Sequence, residues 1–298
     1  MSTAPASGES GLLVVDKQTG LTSQQVVGRC RRLFGTRKVG HAGTLDPMAT
    51  GVLLVGVNRA TRLLGHLALH DKSYRATIRL GVATVTDDAE GEIISRVDAS
   101  GVSDERIAEG MSALTGDILQ VPSSVSAIKI NGRRAYARVR GGEQVSLPAR
   151  PVTVSRFAWL SASRHGDLID LDVEVDCTKG TYIRALARDL GAGLGVGGHL
   201  TALRRTRIGR YTLDDAVVLG DPLLGATAPQ LMSMARAARL SFAVVDVDAA
   251  QRDDVLVGRP LALSLETSPT GLIDPDGRLI ALYQPAGPEL AKPLAVLA

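Results

Sequence analysis

The sequence predicts an α+β fold built on a mixed or antiparallel sheet. Two stretches, Lys72–Leu80 and Asp170–Cys177, alternate apolar and polar residues, which is typical of strands with one buried face. Other stretches carry apolar residues at helical spacing. Strands and helices do not follow one another in the regular βαβ order of a doubly wound fold, and no repeat of about 20–50 residues is present.

The individual elements follow from local patterns. Thr22-Ser-Gln-Gln25 has the form of a capping box, in which the first and last side chains each accept a hydrogen bond from the other's backbone N–H at a helix start. The helix that follows carries its arginines off the apolar stripe. In chain order we expect a strand at Gly11–Asp16, a helix from Thr22, strands at Val52–Val57 and Lys72–Leu80, a helix through Ile107–Leu114, a strand at Asp170–Cys177 and a helix over Ile183–Leu194.

Charge divides the chain into parts. Residues 240–298 hold four basic and eight acidic side chains, whereas the rest of the chain holds 30 and 23. We therefore expect a disordered tail over residues 1–10, a main domain over 11–238 and a small β-rich module over 239–298.

Composition also excludes several classes of protein. No apolar run is long enough to cross a bilayer, and the N-terminus lacks the basic and apolar regions of a signal peptide. The two isolated cysteines, Cys30 and Cys177, form neither a zinc-ribbon pattern nor a disulfide framework. A reducing cytoplasm is the expected location.

Arginine makes up 28 of the 34 basic residues. Its planar fork of donors matches phosphate groups, so an arginine-rich body is compatible with a polyanionic partner such as nucleic acid. Codon usage rich in G and C would produce the same excess, and composition leaves both explanations open.

The loop Gly40–Gly51 carries the strongest candidate for chemistry, Asp46. It reads Gly-His-Ala-Gly-Thr-Leu-Asp-Pro-Met-Ala-Thr-Gly and lies between a helix and an apolar strand. An Asp-Pro step among glycines is commonly only a turn. A carboxylate held on such a loop can also act as a nucleophile or a base. Local pattern does not decide between the two.

This run closely resembles the active-site motif of the TruB family of RNA pseudouridine synthases. Further segments resemble family motifs in the family's order, and together they span about residues 11 to 215: Gly11–Lys17, Asp71–Tyr74, Val121–Lys129, Lys179–Arg184 and Leu203–Arg205. The last sixty residues resemble the family's PUA-like module more loosely.

The resemblance implies a pseudouridine synthase catalytic domain followed by a PUA-like module. It also implies a reaction at uridine 55 in the T-loop of tRNA, in which the base is flipped out of its stack. The bond from C1′ to N1 breaks, the uracil rotates, and C5 is joined to C1′. Nothing is oxidised or added, so no cofactor or metal is expected. The implied partner is the T-arm of tRNA, bound by a monomer that needs neither a protein partner nor a membrane.

Site residues are implied in the same way. Asp46, Tyr74 and Arg184 correspond to the catalytic group, with Tyr74 stacking on the base and Arg184 pairing with the aspartate. His41, Tyr74, Tyr182 and Leu203 correspond to residues that contact the RNA, with His41 filling the place that the base has left. Asp88 resembles a second acidic partner of the arginine, and Lys17 and Lys129 are candidates for contacting RNA or shaping the site. Each has a plainer interpretation as a core or surface residue.

Other functions remain to be compared with this one. A guide-dependent rRNA enzyme of the same family and a tRNA chaperone without chemistry are the main alternatives. A run of arginines at positions 204, 205, 207 and 210 could meet phosphates, although such a cluster is more often a solvated face. The glycine pattern at 193–198 follows a helix rather than a strand, so it does not indicate a dinucleotide site. His66 and His70 lack a third ligand for zinc, and we expect them on a helix surface.

Overall fold

A computed structural model describes residues 8–123, 129–130, 133–134 and 147–297. The chain forms two compact units: residues 1–70 together with 207–298 make the first unit, and residues 71–206 make the second. Residues 1–7 of the predicted tail lie outside the described part of the chain. In the part of the chain that the structure describes, no helix is both long and apolar enough to span a membrane.

The elements are numbered in chain order. The strands are β1 (Gly11–Lys17), β2 (Val39–Ala42), β3 (Thr50–Val57), β4 (Lys72–Leu80), β5 (Val82–Thr84), β6 (Ile93–Arg96), β7 (Gly116–Gln120), β8 (Lys129–Ile130), β9 (Arg133–Arg134), β10 (Arg150–His165), β11 (Leu168–Cys177), β12 (Gly198–Ile208), β13 (Tyr211–Thr212), β14 (Met232–Ser233), β15 (Ala243–Asp246), β16 (Thr270–Ile273), β17 (Leu279–Gly287) and β18 (Leu290–Val296). The helices are α1 (Ser23–Leu33), α2 (Leu64–Leu67), α3 (Asp104–Ala113), α4 (Ile183–Leu194), α5 (Met234–Ser241) and α6 (Ala249–Leu256), with short 3₁₀ helices at Asn58–Leu63, Leu213–Asp215 and Pro222–Leu224.

In the first unit, β1 pairs antiparallel with β3 over its whole length, and β14 and β2 pair with these two strands. The register places Lys17 opposite Gly51, so the end of β1 lies beside the start of β3. The predicted capping box is confirmed at the start of α1, because the Thr22 hydroxyl accepts from the N–H of Gln25 and the Gln25 side chain accepts from the N–H of Thr22. The loop that holds Asp46 is therefore bounded by well-defined elements.

In the second unit the strand order is β12, β4, β11, β10, β7. The predicted alternation of β4 is confirmed, since Tyr74, Ala76, Ile78 and Leu80 are all buried. β4 and β11 pair antiparallel, with Tyr74 opposite Val175. α4 follows β11 and ends at a left-handed glycine, Gly195. The glycine pattern at 193–198 begins in the last turn of this helix and does not follow a strand, so the predicted helical context is confirmed.

The C-terminal residues form a separate four-stranded sheet in the order β15, β16, β17, β18. β15 and β16 are parallel, and the other two pairs are antiparallel. α6 packs on this sheet through Val255, beside Leu261, Leu272 and Tyr283. The predicted α+β fold with a small β-rich C-terminal module is confirmed. The predicted boundary at residues 238/239 remains a prediction.

Candidate active site

The loop around Asp46 is held through its backbone by α1. The hydroxyl of Ser23 accepts a hydrogen bond from the N–H of Leu45 at 2.9 Å and donates to the Leu45 carbonyl at 3.1 Å. Leu45 and Ala49 are buried on either side of Asp46, which is itself half-buried. A turn bond from the Ala49 N–H to the Asp46 carbonyl, at 3.1 Å, closes the loop. The carboxylate therefore stands between two anchored residues.

Lys17 supports the same loop from the end of β1. It is only 1% exposed, and its ammonium group donates to the carbonyls of Gln18, Leu21 and Pro47 at 3.1, 2.6 and 3.2 Å. Three carbonyl dipoles compensate the desolvation of the buried charge. Lys17 thus lies against the backbone next to Asp46.

His41 lies in β2, opposite Val55 of β3, and is half-buried. Gly43, two residues after it, has φ of 74°, a conformation that glycine adopts without steric strain. The chain therefore turns sharply between His41 and Asp46.

In the second unit, Arg184 and Asp88 form a buried ion pair. The guanidinium Nη1 of Arg184 is 3.3 Å from Oδ2 of Asp88, and both side chains are 5% exposed. The same nitrogen donates to the Thr86 carbonyl at 2.8 Å, and Asp88 Oδ1 accepts from the N–H of Glu90 at 3.1 Å. Hydrogen bonds to both partners are what make a buried pair tolerable.

A second pair stands beside the first, and the sequence analysis did not identify it. Arg188 lies one helical turn after Arg184 on α4, and its Nη1 is 3.2 Å from Oδ2 of Asp87. Burial raises the pKa of Asp87, while Arg188 and Arg184 oppose that rise. Arg188 also donates to the Val121 carbonyl at 2.7 Å. The sequence shows the spacing of four between the arginines and the adjacency of the two aspartates, but neither pattern indicates that the two segments pair.

The remaining predicted residues of the second unit lie at distinct positions. Tyr74 is 6% exposed in β4, and Leu203 is 8% exposed in β12. Tyr182 precedes α4, and its backbone N–H and carbonyl bond the Gln120 side chain at 2.8 and 3.1 Å. Lys129 falls in β8, but its side chain lies outside the described residues.

The arginine run near residue 205 is not a uniform basic surface. Alternate residues of a strand point to opposite faces, and Arg205 lies on the buried face of β12, where it is 1% exposed. It is therefore not available to phosphate. Nearby, burial together with the Arg205 charge lowers the pKa of Lys72 to about 8. Both interpretations given for the arginine run at 204–210, contact with phosphates and a solvated face, are therefore wrong for Arg205.

His66 and His70 do not lie simply on a helix surface. Both are half-buried, His70 follows the end of α2, and both rings contact Phe242 at centroid distances of 6.2 Å. Among the residues that the structure describes, no group of three or more His, Cys, Asp or Glu side chains is placed to hold a metal ion.

The sequence matches known families along most of its length. Residues 31–183 match the family described as "TruB family pseudouridylate synthase (N terminal domain)". Residues 184–228 match "tRNA pseudouridylate synthase B C-terminal domain", and residues 242–298 match "tRNA Pseudouridine synthase II, C terminal".

Curated relatives resemble the chain from end to end. A protein of Cutibacterium acnes named tRNA pseudouridine synthase B is 62% identical over 278 residues, 93% of this chain and 94% of its own. One of the same name from Rhodococcus jostii is 56% identical over 286 residues, 95% and 93% of the two chains. Another from Mycobacterium sp. (strain KMS) is 53% identical over 298 residues, 100% and 98%.

Solved structures share the fold at lower identity. A chain of "Crystal Structure of a Cbf5-Nop10-Gar1 Complex" matches with a TM-score of 0.70 and 23% identity, covering 100% of this chain and 91% of that one. A chain of "Crystal structure of the archaeal box H/ACA sRNP Nop10-Cbf5 complex" matches with a TM-score of 0.66 and 22% identity, covering 97% and 86%. At this level of identity the likeness concerns the fold alone.

Proposed function

The chain belongs to the TruB family of pseudouridine synthases, and from that premise we propose that it isomerises uridine to pseudouridine at position 55 in the T-loop of tRNA. The observation that carries the proposal is similarity over almost the whole chain, because relatives named tRNA pseudouridine synthase B are 53–62% identical over 93–100% of it. The family establishes an isomerase that acts on RNA. The T-loop position and the residue roles are the finer proposals.

The reaction needs a carboxylate, and Asp46 is the residue we assign to it. The bond from C1′ to N1 of the uridine breaks, the freed uracil turns, and C5 bonds to C1′. C5 then loses its proton and N1 takes one up, so the product is an isomer of the substrate. No atom is added and no electron is lost, so we propose no cofactor. The support for Asp46 is the way its loop is held, since Ser23 and Lys17 fix the backbone on both sides of it. A nucleophile presented on a rigid loop needs little further ordering before reaction.

Tyr74 and Arg184 complete the proposed catalytic group. A flipped base is usually held by stacking on an aromatic ring, and Tyr74 is a nearly buried aromatic side chain on a central strand. Arg184 is fixed by its ion pair with Asp88, which supports a positioned charge rather than a mobile surface arginine. Asp88 is thus proposed as a positioning residue.

We assign RNA contact to His41, Tyr182 and Leu203. Lys17 is proposed to shape the site rather than touch RNA, because its ammonium group is bonded to three carbonyls. Lys129 remains a candidate for RNA contact. We also propose that the chain acts as a monomer in the cytoplasm and that it divides near residue 238 into a catalytic domain (11–238) and a PUA-like module (239–298).

The alternatives differ in what they predict. A guide-dependent rRNA enzyme would need a partner RNA, and the relatives at 53–62% identity are instead named for tRNA. A tRNA chaperone would bind without isomerising.

The test is release of tritium from C5-tritiated uridine in an unmodified tRNA transcript, with the wild type, with Asp46→Asn and with Glu109→Gln as a control. Glu109 is an exposed carboxylate on α3. We expect about one equivalent per tRNA from wild type and control, and none when the T-loop uridine is replaced.

Asp46→Asn should release no tritium while keeping tRNA affinity within about twofold, because phosphate contacts supply most of the binding free energy. Full activity of Asp46→Asn would remove the proposed mechanism. Tight tRNA binding by the wild type without any release would favour the chaperone.

A further inference from the structure

A cavity of about 570 Å³ opens in the first unit, and none of its lining residues belongs to the candidate active site. Its walls come from the end of α2, from the turn between β12 and β13, from the C-terminal end of α5 with the start of β15, and from residues 267–269 before β16. That volume is within the usual range for a small-molecule or nucleotide site.

One wall of the cavity is aromatic. The ring of Phe242 lies at a centroid distance of 6.2 Å from His70, at an interplanar angle of 30°, and at the same distance from His66 at 87°. Flat π-systems of this kind provide a stacking surface for a nucleobase, and stacking of this type tolerates any base.

The walls are fixed by buried contacts. Gly209 has φ of 53°, and a Cβ at this position would lie 3.1 Å from Cγ of His70, so the imidazole packs directly on the glycine backbone. The fully buried Tyr211 hydroxyl bonds the Ala237 carbonyl at 2.9 Å and the Ser241 hydroxyl at 2.7 Å. The cavity is therefore preformed and needs little ordering to bind a ligand.

Two arginines give the cavity a positive charge. Arg210 is exposed and forms no ion pair with any residue that the structure describes. Arg239 pairs with Asp246 through Nη2 at 3.0 Å, which leaves donors of its planar fork for another anion. Among the described lining residues there is no Asp or Glu. A guanidinium pair beside an aromatic wall disfavours a purely apolar ligand and suits a phosphate joined to a base.

We infer that this cavity is a nucleotide-binding pocket, in which a base lies against Phe242 and its phosphate is bound by Arg210 and Arg239. The inference goes beyond the proposed function, because the isomerisation uses none of these residues. A nucleotide of an RNA strand and a free mononucleotide share the required chemistry.

The experiment measures binding separately from isomerisation, using the full-length protein. The variants are the double variant Arg210→Ala/Arg239→Ala and the single variant Phe242→Leu. Arg236→Ala is the matched control, since Arg236 is an exposed arginine that lies on α5 with Arg239 but outside the cavity. Affinity for an unmodified tRNA transcript is measured by filter retention across a salt titration. Affinity for UMP, CMP, AMP and GMP is measured by equilibrium dialysis.

If the ligand is RNA, the double variant should bind tRNA about tenfold more weakly with a salt slope shallower by about one to two, and Arg236→Ala should match the wild type. Phe242→Leu should weaken binding about fivefold or more through lost stacking. If the ligand is a free nucleotide, the wild type should bind a mononucleotide and the double variant should not, with tRNA affinity unchanged.

Unchanged tRNA affinity together with no mononucleotide binding would overturn the inference, as would an equal loss with Arg236→Ala. Phe242 packs against the core of the first unit, so thermal unfolding of Phe242→Leu is measured beside its binding; the exposed arginines test the pocket without that complication. An absence of tritium release by the wild type would remove the proposed function and leave this result unaffected.

Discussion

The loop that carries Asp46 and the turn that carries Asp88 are held in different ways. α1 and β1 fix the Asp46 loop through its backbone, by the hydroxyl of Ser23 and by Lys17 donating to carbonyls. The turn is fixed through its carboxylates, which pair with two arginines of α4. A loop anchored by its backbone can present a side chain for chemistry, whereas a turn anchored by its side chains depends on charge. The two regions should therefore fail in different ways when they are altered.

Removing Arg184 should have the largest effect. Arg184→Met leaves the Asp88 carboxylate buried without its partner, and the free energy of unfolding should fall by about 3–5 kcal/mol. The double variant Arg184→Met/Asp88→Asn should recover part of that stability, since the unpaired charge is gone, but no tritium release. Urea denaturation and single-turnover assays measure both. Equal stability of the single and double variants would show that the pair is not held by charge.

Removing Ser23 should have a smaller effect, which comes from loss of a backbone anchor and not from loss of an ion pair. Ser23→Ala leaves the N–H of Leu45 without its acceptor, which should lower the free energy of unfolding by about 1–3 kcal/mol. Single-turnover tritium release should slow by about tenfold, because Asp46 follows Leu45 directly and small displacements are costly to catalysis. The loss should not depend on salt, since no ion pair is involved. Ser112→Ala, at an exposed position of α3, is the control and should behave as the wild type.

Variants of the Arg188–Asp87 pair can distinguish the effect of losing the charge from the effect of straining the backbone at Asp87. Asp87 has φ of 59°, a left-handed conformation that asparagine also adopts with little strain and alanine does not. Asp87→Asn should therefore slow single-turnover tritium release less than Asp87→Ala does, by about threefold against about tenfold. Arg188→Ala should slow tritium release about as much as Asp87→Ala, because it removes the hydrogen bond to the Val121 carbonyl in addition to the ion pair with Asp87. An Asp87→Asn variant as slow as Asp87→Ala would assign the effect to charge alone.

Two buried lysines extend the comparison to pH. Lys17 is bonded to three carbonyls, whereas burial and the charge of Arg205 lower the pKa of Lys72 to about 8. Below pH 8 Lys72 is protonated in both the native and the unfolded state, so the cost of burying its charge lowers the free energy of unfolding in full. Between pH 8 and the unfolded-state pKa near 10.5 the native state has lost the proton that the unfolded state keeps, so stability should rise with pH.

Thermal unfolding of the wild type and of Lys72→Met across this pH range checks the effect, which we expect at about 1–3 kcal/mol. Lys72→Met should remove that rise. A rise that persists in Lys72→Met would assign it to another group.

Much of the fold could be predicted because its signals are local. The capping box of α1 involves residues three apart, and the alternation of β4 reflects one buried face. Asp46 was singled out by a motif whose twelve residues are contiguous. By contrast, Arg188 and Asp87 lie 101 residues apart in sequence, and no pattern in either segment indicates the other. The burial of Arg205 was missed for the same reason, since a run of arginines predicts an exposed face unless the neighbouring strands are known.

The sequence by itself determined the start of α1, the buried face of β4 and the loop that bears the candidate carboxylate. These properties depend on steric preference, hydrogen bonding and hydrophobic burial within a few residues of the chain. Only the tertiary structure decided that the Lys17 ammonium reaches the Pro47 carbonyl thirty positions away, that Asp87 is paired with Arg188, and that His70 packs on Gly209 beside Phe242. Such contacts form only after distant segments have been brought together, and their energies depend on how completely water is excluded there.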